Sequence, residues 1–276
     1  ILHKQLTILT DQNRQWFHEK TANWEKFWTR LGYSEVPDLD GKRILDVGSG
    51  LGSNTYSCAM AGALVTSLEP DIWSHERSRQ LIQEAAPALI NNITFVNQSL
   101  EDYIDSEKFD YIICDEVFEH LLNLSKAVDK MAALLTPGGR LCSGWGPLWN
   151  SPTGGHQLTM SLAFRRGIPR FTTKPNSFSG GRIRIPYSHI LFAKLARNIY
   201  ASDRNSPPTN SCRELGMNGL SRSEYIDILQ SSDLVTAKWQ ENSGLHPAYK
   251  VLRVFASIPG LREAFTSNVF AVFRRA

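Results

Sequence analysis

Four side chains that could bind a metal ion or accept a proton lie in two short segments. Glu116, Glu119 and His120 stand at positions i, i+3 and i+4, a spacing that predicts one shared face of a helical turn. His156 follows later, after two glycines. Two carboxylates and two imidazoles suit a hard divalent cation such as Mg²⁺, Mn²⁺ or Fe²⁺. Without a metal, His156 or His120 is the expected general base, because imidazole titrates near neutral pH.

A glycine-rich segment must position a ligand near these groups. An apolar run ends at Asp46 and Val47 and continues as Gly48-Ser49-Gly50-Leu51-Gly52, so a buried strand leads into a loop whose backbone can approach a ligand closely. The next apolar run, 64–68, ends at Glu69, where a ribose would present its hydroxyls. A dinucleotide loop would read GxGxxG, whereas this one reads GxGxG after an acid that repels phosphate. We therefore expect a ligand other than a dinucleotide.

The segment from Asp46 to Gly52, with Glu69, resembles the class I S-adenosylmethionine (SAM)-dependent methyltransferases. Three further segments resemble the family's third strand with its adenine loop, its fourth strand and the turn into its fifth strand: residues 95–101, 109–115 and 135–141. The resemblance covers residues 41–145 in the family's order. It implies SAM as the cofactor and an enzyme that transfers a methyl group.

The resemblance also implies a role for each cofactor residue. The glycine loop (Gly48, Ser49, Gly50 and Gly52) would approach the methionine part and Asp46 would order it, Glu69 would bind the ribose hydroxyls, Ser99 and Leu100 would flank the adenine, and Asp115 would lie near the methionine amine. The family often has an acid for the adenine amine where this chain has Ser99. Adenine selectivity would then depend on the backbone at Leu100 or on Glu101.

The ExxEH cluster with a later histidine resembles two metal-assisted groups, the 2′-O-methyltransferases of small RNAs and the ubiquinone-pathway O-methyltransferases. In these a cation chelates vicinal substrate oxygens and lowers the pKa of the hydroxyl to be methylated. Other members of the wider family have Glu-His at this place without a metal, where the pair is structural or contacts the substrate. Both interpretations of Glu116, Glu119, His120 and His156 stay open.

Alternating strand and helix patterns predict the fold. They indicate an α/β, Rossmann-like sheet of seven mostly parallel strands with helices on both faces, and by resemblance the last strand is antiparallel. Helices are expected near 53–61, 73–86 and 124–135, and a capping box at Ser221 and Glu224 predicts another to about 230. The last two strands are expected at 234–239 and 269–273.

Four regions follow from this pattern. They are an N-terminal helical lid (1–40), a SAM-binding core (41–145), a substrate cap inserted after strand 5 (146–220) and a C-terminal completion of the sheet (221–276). Aromatic residues at helical spacing in 11–31 predict one amphipathic helix. This helix either packs on the domain surface or closes the cofactor site as a lid.

Composition favours a cytoplasmic protein. The chain has 276 residues, 42% of them hydrophobic, and its four cysteines lack metal-site spacing, so we expect reduced thiols. We expect neither a membrane-spanning segment nor a leader at Ile1-Leu2-His3-Lys4. The absence of an initial Met is typical of a module cut from a longer protein.

Charge is uneven along the chain. Residues 130–202 contain ten Lys and Arg residues and no acid, which leaves 20 basic and 27 acidic residues elsewhere. Such a run is a solvated face or a site for an anionic substrate, RNA or an anionic surface, and nucleic acid is the weaker option because no RNA-binding motif accompanies it.

The combined prediction is O-methylation of a hydroxylated small molecule, which could be anionic. An RNA 2′-O-methyltransferase and a non-catalytic SAM-binding module are the alternatives, and the oligomeric state is open.

Overall fold

A seven-stranded sheet forms the centre of the chain. The computed structural model describes residues 9–104, 107–165, 168–173, 182–204, 206–207, 211–243 and 247–275. The strands are β1 (Arg43–Val47), β2 (Leu64–Leu68), β3 (Ile93–Val96), β4 (Phe109–Asp115), β5 (Leu135–Trp145), β6 (Ser161–Arg165), β7 (Ile168–Thr172), β8 (Arg182–Arg184), β9 (Leu234–Glu241) and β10 (Val269–Arg275). The large sheet has the order β3-β2-β1-β4-β5-β10-β9. Its first five strands are parallel, and β10 is antiparallel to both β5 and β9, which confirms the predicted fold class.

Helices cover both faces of this sheet. They are α1 (Asp11–Ala22), α2 (Glu25–Arg30), α3 (Ser53–Met60), α4 (Ile72–Ala85), α5 (Leu124–Leu134), α6 (Ser188–Leu191), α7 (Ala193–Arg204), α8 (Arg222–Gln230), α9 (Ala248–Ala256) and α10 (Arg262–Phe265). One apolar core joins the sheet to α5 and α8, and a second joins it to α1 through α4. Neighbouring residues such as Ile112 and Ile113 are buried in opposite cores, as the alternation of a strand requires.

The aromatic N-terminal segment forms two helices, so the prediction of one helix over 11–31 was wrong. The break lies at Asn23, whose side-chain amide donates to the Glu19 carbonyl at 2.6 Å. That carbonyl would accept the Asn23 backbone N–H in a continuing helix, and the backbone N–H donates to Lys20 at 3.2 Å instead. Trp16 is 38% exposed, while Phe17, Phe27, Trp28 and Leu31 are buried as the stripe predicted.

Residues 146–220 contain a small second sheet and two helices. The antiparallel strands β7-β6-β8 form the sheet, and α6 and α7 follow it. Asn218 fixes the end of this region to the turn after β4, since its amide donates to Phe118 O at 2.7 Å and to Leu121 O at 3.2 Å. The helix predicted from the Ser221 and Glu224 capping box forms over 222–230 with both reciprocal hydrogen bonds.

Candidate active site

The loop after β1 holds its shape through backbone hydrogen bonds to the end of β2. The N–H groups of Gly48 and Ser49 donate to Leu68 O at 2.8 and 3.1 Å. Gly48 has a φ of 66°, and a Cβ there would lie 2.6 Å from Val117, so the close approach to the turn after β4 requires glycine. Gly50 has a φ of 55° and a Cβ there would meet nothing within 4 Å, because its open side faces a cleft.

Two acidic side chains lie next to this loop. Glu69 accepts the backbone N–H of Gly50 at 2.7 Å with one oxygen and that of Asp71 at 2.9 Å with the other. Asp46 lies beneath the loop, 1% exposed, and accepts the Thr55 hydroxyl at 2.6 Å. Burial raises the pKa of Asp46 to about 7, because the hydrogen bond from Thr55 offsets only part of the cost of an enclosed charge. Asp46 is therefore joined to α3 and does not line the cleft, and its role in ordering the glycine loop stays a prediction.

The glycine-loop cleft, as we call this space, encloses about 950 Å³ counted out to open solvent. Its floor consists of the loop Gly48-Ser49-Gly50 with Ser53 and Asn54, and of Asp115 and Glu116 at the end of β4. Its opposite wall comes from α1, α2 and the turn between them, including Trp16, Lys20, Trp24 and Arg30. The two N-terminal helices thus pack on the domain and also face the predicted cofactor loop.

Opposite charges meet across the cleft. Desolvation at the end of β4 raises the pKa of both Asp115 and Glu116, and Asp115 raises the pKa of Glu116 further, while Lys20 and Arg30 lower both pKa values. A hydrogen bond from Asn54 also favours ionised Asp115. The Arg30 Nε has no hydrogen-bond partner among the described residues. The cleft can therefore receive a ligand that carries both a cation and an anion.

The predicted adenine residues lie outside the cleft lining. The Ser99 hydroxyl donates to the Asp102 carboxylate at 2.8 Å and accepts the Asp102 N–H at 3.2 Å. Leu100 is 4% exposed and belongs to the core. Ser99 thus holds an acid three residues further along, which the aligned position alone did not reveal. Their roles towards adenine stay predictions.

The turn after β4 is not the helical turn that the sequence predicted. Glu116 has a φ of 58°, in the left-handed region, and only Phe118–His120 forms a short 3₁₀ turn. Glu116 consequently lines the glycine-loop cleft, whereas Glu119 lines a separate cavity. Within the described part of the chain no three His, Cys, Asp or Glu side chains gather as a metal site would require. The arrangement of Glu116, Glu119, His120 and His156 therefore does not fit a divalent cation. A cation bound by these residues stays a prediction from the sequence.

Glu119 and His156 line this second cavity, which has about 200 Å³ of empty space and is also bounded by Trp149, Asn218 and Tyr225. One Glu119 oxygen accepts the Gly146 N–H at 3.3 Å, and the other oxygen has no partner among the described residues. Burial, Glu116 and Asp115 raise the Glu119 pKa well above its usual range. The surroundings of Glu119 therefore favour its protonated, uncharged form.

His156 is held in an unusual position. It has a φ of 47°, and its imidazole hydrogen-bonds to the Pro147 carbonyl, while its Nε2 has no partner among the described residues. Burial and the neighbouring His120 lower the pKa of His156 to about 4, so the ring is neutral near pH 7. Its Nε2 then has a lone pair available for a donor.

The other two histidines of interest differ in role. His120 packs its ring 5.9 Å from that of His156, centroid to centroid, and its Nδ1 lies 2.9 Å from Gly216 O. His189 is 2% exposed and its Nε2 lies 2.7 Å from Trp149 O. A Cβ at Gly155 would lie 2.3 Å from the His189 side chain, so this glycine permits close packing of the segment before His156. His189 supports the loop, and His120 supports His156.

The sequence did not indicate two features of the site: the cationic wall of the glycine-loop cleft, formed by Lys20 and Arg30, and the contacts of Asn218 at the second cavity. Lys20 and Arg30 lie in a segment that the sequence marked only by its aromatic residues. Their charges could not be assigned to the cleft until the packing of the two helices was known. Asn218 lies near the end of the predicted substrate cap, where the sequence marked no site residue beside it. Its backbone N–H donates to Glu119 O at 2.8 Å and its side chain accepts the Tyr225 hydroxyl at 3.1 Å. It therefore holds Glu119 in place from the other side of the insertion.

Comparison with known proteins agrees with this geometry. A family model described as a methyltransferase domain matches residues 14–176. A ubiquinone biosynthesis O-methyltransferase from Vibrio vulnificus is 33% identical over 116 residues, which are 41% of this chain and 48% of that protein. One from Coxiella burnetii is 36% identical over 117 residues, 41% of this chain and 47% of that protein. The match thus spans about half the length of these relatives.

Solved structures share the fold at low identity. An S-adenosylmethionine-dependent methyltransferase from Mesorhizobium loti has a TM-score of 0.54 at 15% identity, over 92% of this chain and 98% of that one. A geranyl diphosphate C-methyltransferase from Streptomyces coelicolor, solved with S-adenosyl-L-homocysteine, has a TM-score of 0.55 at 16% identity, over 93% of this chain and 76% of that one. The likeness extends beyond the core to most of the described chain.

Proposed function

Because the chain belongs to the methyltransferase domain family, we propose that it transfers a methyl group from SAM to a hydroxyl group of a small molecule. The observation that carries this proposal is the glycine-loop cleft, where a close-approach backbone loop and two carboxylates face three cationic side chains, Lys20, Lys26 and Arg30. SAM carries an amine, a carboxylate and a sulfonium, and it has no phosphate. The charges of the cleft complement those of this ligand.

Each end of the cofactor has candidate partners. Asp115 and Glu116 would hold the methionine amine, and Arg30 with Lys20 would hold the methionine carboxylate, supplying the partner that Arg30 Nε lacks. Glu69 would bind the ribose hydroxyls. Its two oxygens already accept one backbone N–H each, and a carboxylate has about four lone-pair sites, so acceptor capacity remains.

The sulfonium of bound SAM supplies an activated methyl donor, so the chain has to position the acceptor and exclude water. The aromatic wall of Trp16 and Trp24 would shield the cofactor. Residues 116–119 connect the glycine-loop cleft to the second cavity, and the charge of Glu116 raises the pKa of Glu119. An acceptor molecule bound between the cleft and the second cavity would lie close to both.

His156 is the proposed proton acceptor, with His120 as its neighbour. Its unpartnered Nε2 is a neutral lone pair in a buried site, which an acceptor hydroxyl could engage as donor. A base with a pKa of about 4 is weak, but the hydroxyl becomes more acidic as the C–O bond forms, so the proton can leave during transfer. No step here depends on a metal ion.

O-methylation is supported by the ubiquinone biosynthesis O-methyltransferases among the relatives. Their similarity covers 41% of this chain, so it does not define the acceptor's size or charge. Several basic residues of the 130–202 run have partners inside the chain: Lys130 donates to Glu101 O at 2.7 Å, and Arg170 lies 3.6 Å from Asp203. An anionic acceptor, an RNA acceptor and a non-catalytic SAM-binding role stay predictions, and no contact among the described residues favours any of them.

A transfer assay with labelled SAM and a panel of phenols, catechols and aliphatic alcohols tests the proposal. Once an acceptor is found, His156→Gln should lower turnover by roughly 100-fold or more, because a positioned proton acceptor contributes about that much. SAM affinity and the melting temperature should stay near wild type. His18→Asn, at an exposed histidine on α1, is the matched control. Full turnover in the His156 variant would remove this residue from the mechanism.

A further inference from the structure

An apolar surface on the C-terminal half of the chain has no covering within the described structure. Helix α9 has nine residues, and none of them is buried. Val251, Val254, Phe255 and Ile258 follow one another at helical spacing and are 56%, 64%, 40% and 43% exposed. A helix this short needs tertiary contacts to be stable in water, because its own hydrogen bonds are insufficient. A continuous apolar stripe that is exposed to solvent indicates a surface that binds a membrane or another molecule.

A second apolar segment lies beside it. Helix α6 and the start of α7 expose Ile190, Leu191, Phe192 and Leu195, between 42% and 68% each. Two contacts join this segment to α9 through α10. Phe255 stacks on Phe265 with ring centroids 4.9 Å apart, and Tyr187 contacts Phe265 edge-on while its hydroxyl donates to Ala264 O at 3.2 Å. The exposed apolar residues of α6, α7 and α9 form what we call the apolar patch.

The exposed charged residues on α6, α7 and α9 themselves are all basic. Lys194 is exposed beside the first segment, and Lys250 and Arg253 are exposed on α9. Residues 247–262 contain no Asp or Glu. Between residues 182 and 204 the only acid is Asp203, which is 9% exposed and accepts the Thr173 N–H at 2.7 Å. Nothing acidic on these helices would therefore repel an anionic surface.

The geometry points to peripheral binding of an anionic lipid bilayer, with the apolar patch entering the interface and the flanking Lys and Arg residues contacting the headgroups. Amphipathic helices with apolar side chains on one face and basic side chains beside them bind in this way, by burial of apolar area together with attraction to anionic lipid. No helix of the described chain has the length and apolarity to cross a bilayer, so the contact is superficial. This inference concerns binding alone and does not depend on methyl transfer.

Vesicle co-sedimentation of the whole chain tests it. Vesicles of phosphatidylcholine with about 30% phosphatidylglycerol should bind the protein at least about tenfold more tightly than phosphatidylcholine vesicles, and about 0.5 M salt should reverse the difference. Val254→Glu and Leu191→Glu should each lower the affinity for the anionic vesicles about tenfold or more. Met60→Glu, at a residue 57% exposed at the end of α3, is the matched control and should bind as wild type does.

Three outcomes would overturn the proposal. The first is no binding to anionic vesicles by wild-type protein. The second is equal binding by wild type and both patch variants. The third is a wild-type dimer in light scattering that Val254→Glu converts to a monomer without changing vesicle binding, since a second copy would then be what covers the patch.

Discussion

The carboxylates at the end of β4 decide what the cleft can bind. Asp115 and Glu116 are adjacent and line the same cleft, and the charge of Asp115 also acts on Asp46, so all three carboxyl groups have pKa values raised above the ordinary range. The left-handed backbone of Glu116 turns its side chain towards the cleft. A cationic ligand would compensate this charge, which explains how two acids can be kept side by side.

SAM affinity should consequently depend on pH. The bound amine favours the ionised carboxylates, so SAM binding releases protons, and its affinity rises as the pH rises through the raised pKa values. We expect the dissociation constant to fall about 3-fold to 10-fold between about pH 5 and about pH 7, below the titration of the cofactor's own amine. Calorimetry in two buffers of different ionisation enthalpy measures both quantities. Asp115→Asn should bind more weakly with a flatter profile, and proton uptake by wild type would contradict the assignment.

The pH profile of methyl transfer separates the two histidines. Protonation of His156 blocks its lone pair, and because its pKa is lowered to about 4 this loss should occur only near that pH. At saturating SAM, where the pH dependence of SAM binding no longer contributes, the acid limb of kcat/KM for the acceptor should therefore lie well below the ordinary histidine value of about 6.5. An acid limb near about 6.5 that persists in His156→Gln would assign the proton transfer to another group.

At the scale of elements, the two N-terminal helices complete the cofactor site. The break at Asn23 sets the direction of α2 relative to α1, and both helices then contribute a cation to the cleft. Lys20→Ala and Arg30→Ala should each weaken SAM binding about tenfold, because each removes a charge-assisted contact to the methionine carboxylate. Arg14→Ala is the control on α1, since Arg14 pairs with Glu84 at 3.0 Å and lies outside the cleft lining. Equal losses in all three variants, measured by calorimetry, would indicate a general destabilisation of the two N-terminal helices.

Local patterns were sufficient to predict the core elements. The strand and helix alternation of 41–145 and the Ser221 capping box depend on neighbours in sequence, and both were confirmed. The sheet of β6, β7 and β8 was missed because its short strands are defined by pairing across the insertion. The i, i+3 and i+4 spacing of Glu116, Glu119 and His120 misled because it presumes helical backbone, and one left-handed residue separates the first carboxylate from the others. The cationic wall required knowledge of where α1 and α2 pack.

At the scale of the whole molecule, a core whose fold resembles that of solved methyltransferases is surrounded by further regions. The core contains the seven-stranded sheet, the glycine loop and the carboxylates at the end of β4. The insertion brings His156 and Asn218 to the second cavity, and together with α9 it forms the apolar patch. Asn150 donates to Glu263 at 3.2 Å, which ties the loop before His156 to α10. The proposed membrane surface and the proposed acceptor site are thus parts of one connected region.

A crystal structure with S-adenosylhomocysteine tests the cofactor assignment most directly. We predict difference density in the glycine-loop cleft, with the amine within hydrogen-bond reach of Asp115 or Glu116, the carboxylate at Arg30 or Lys20, and the ribose hydroxyls at Glu69. Crystals grown at saturating ligand concentration that show this cleft empty, or show the ligand bound elsewhere, would contradict the proposed site.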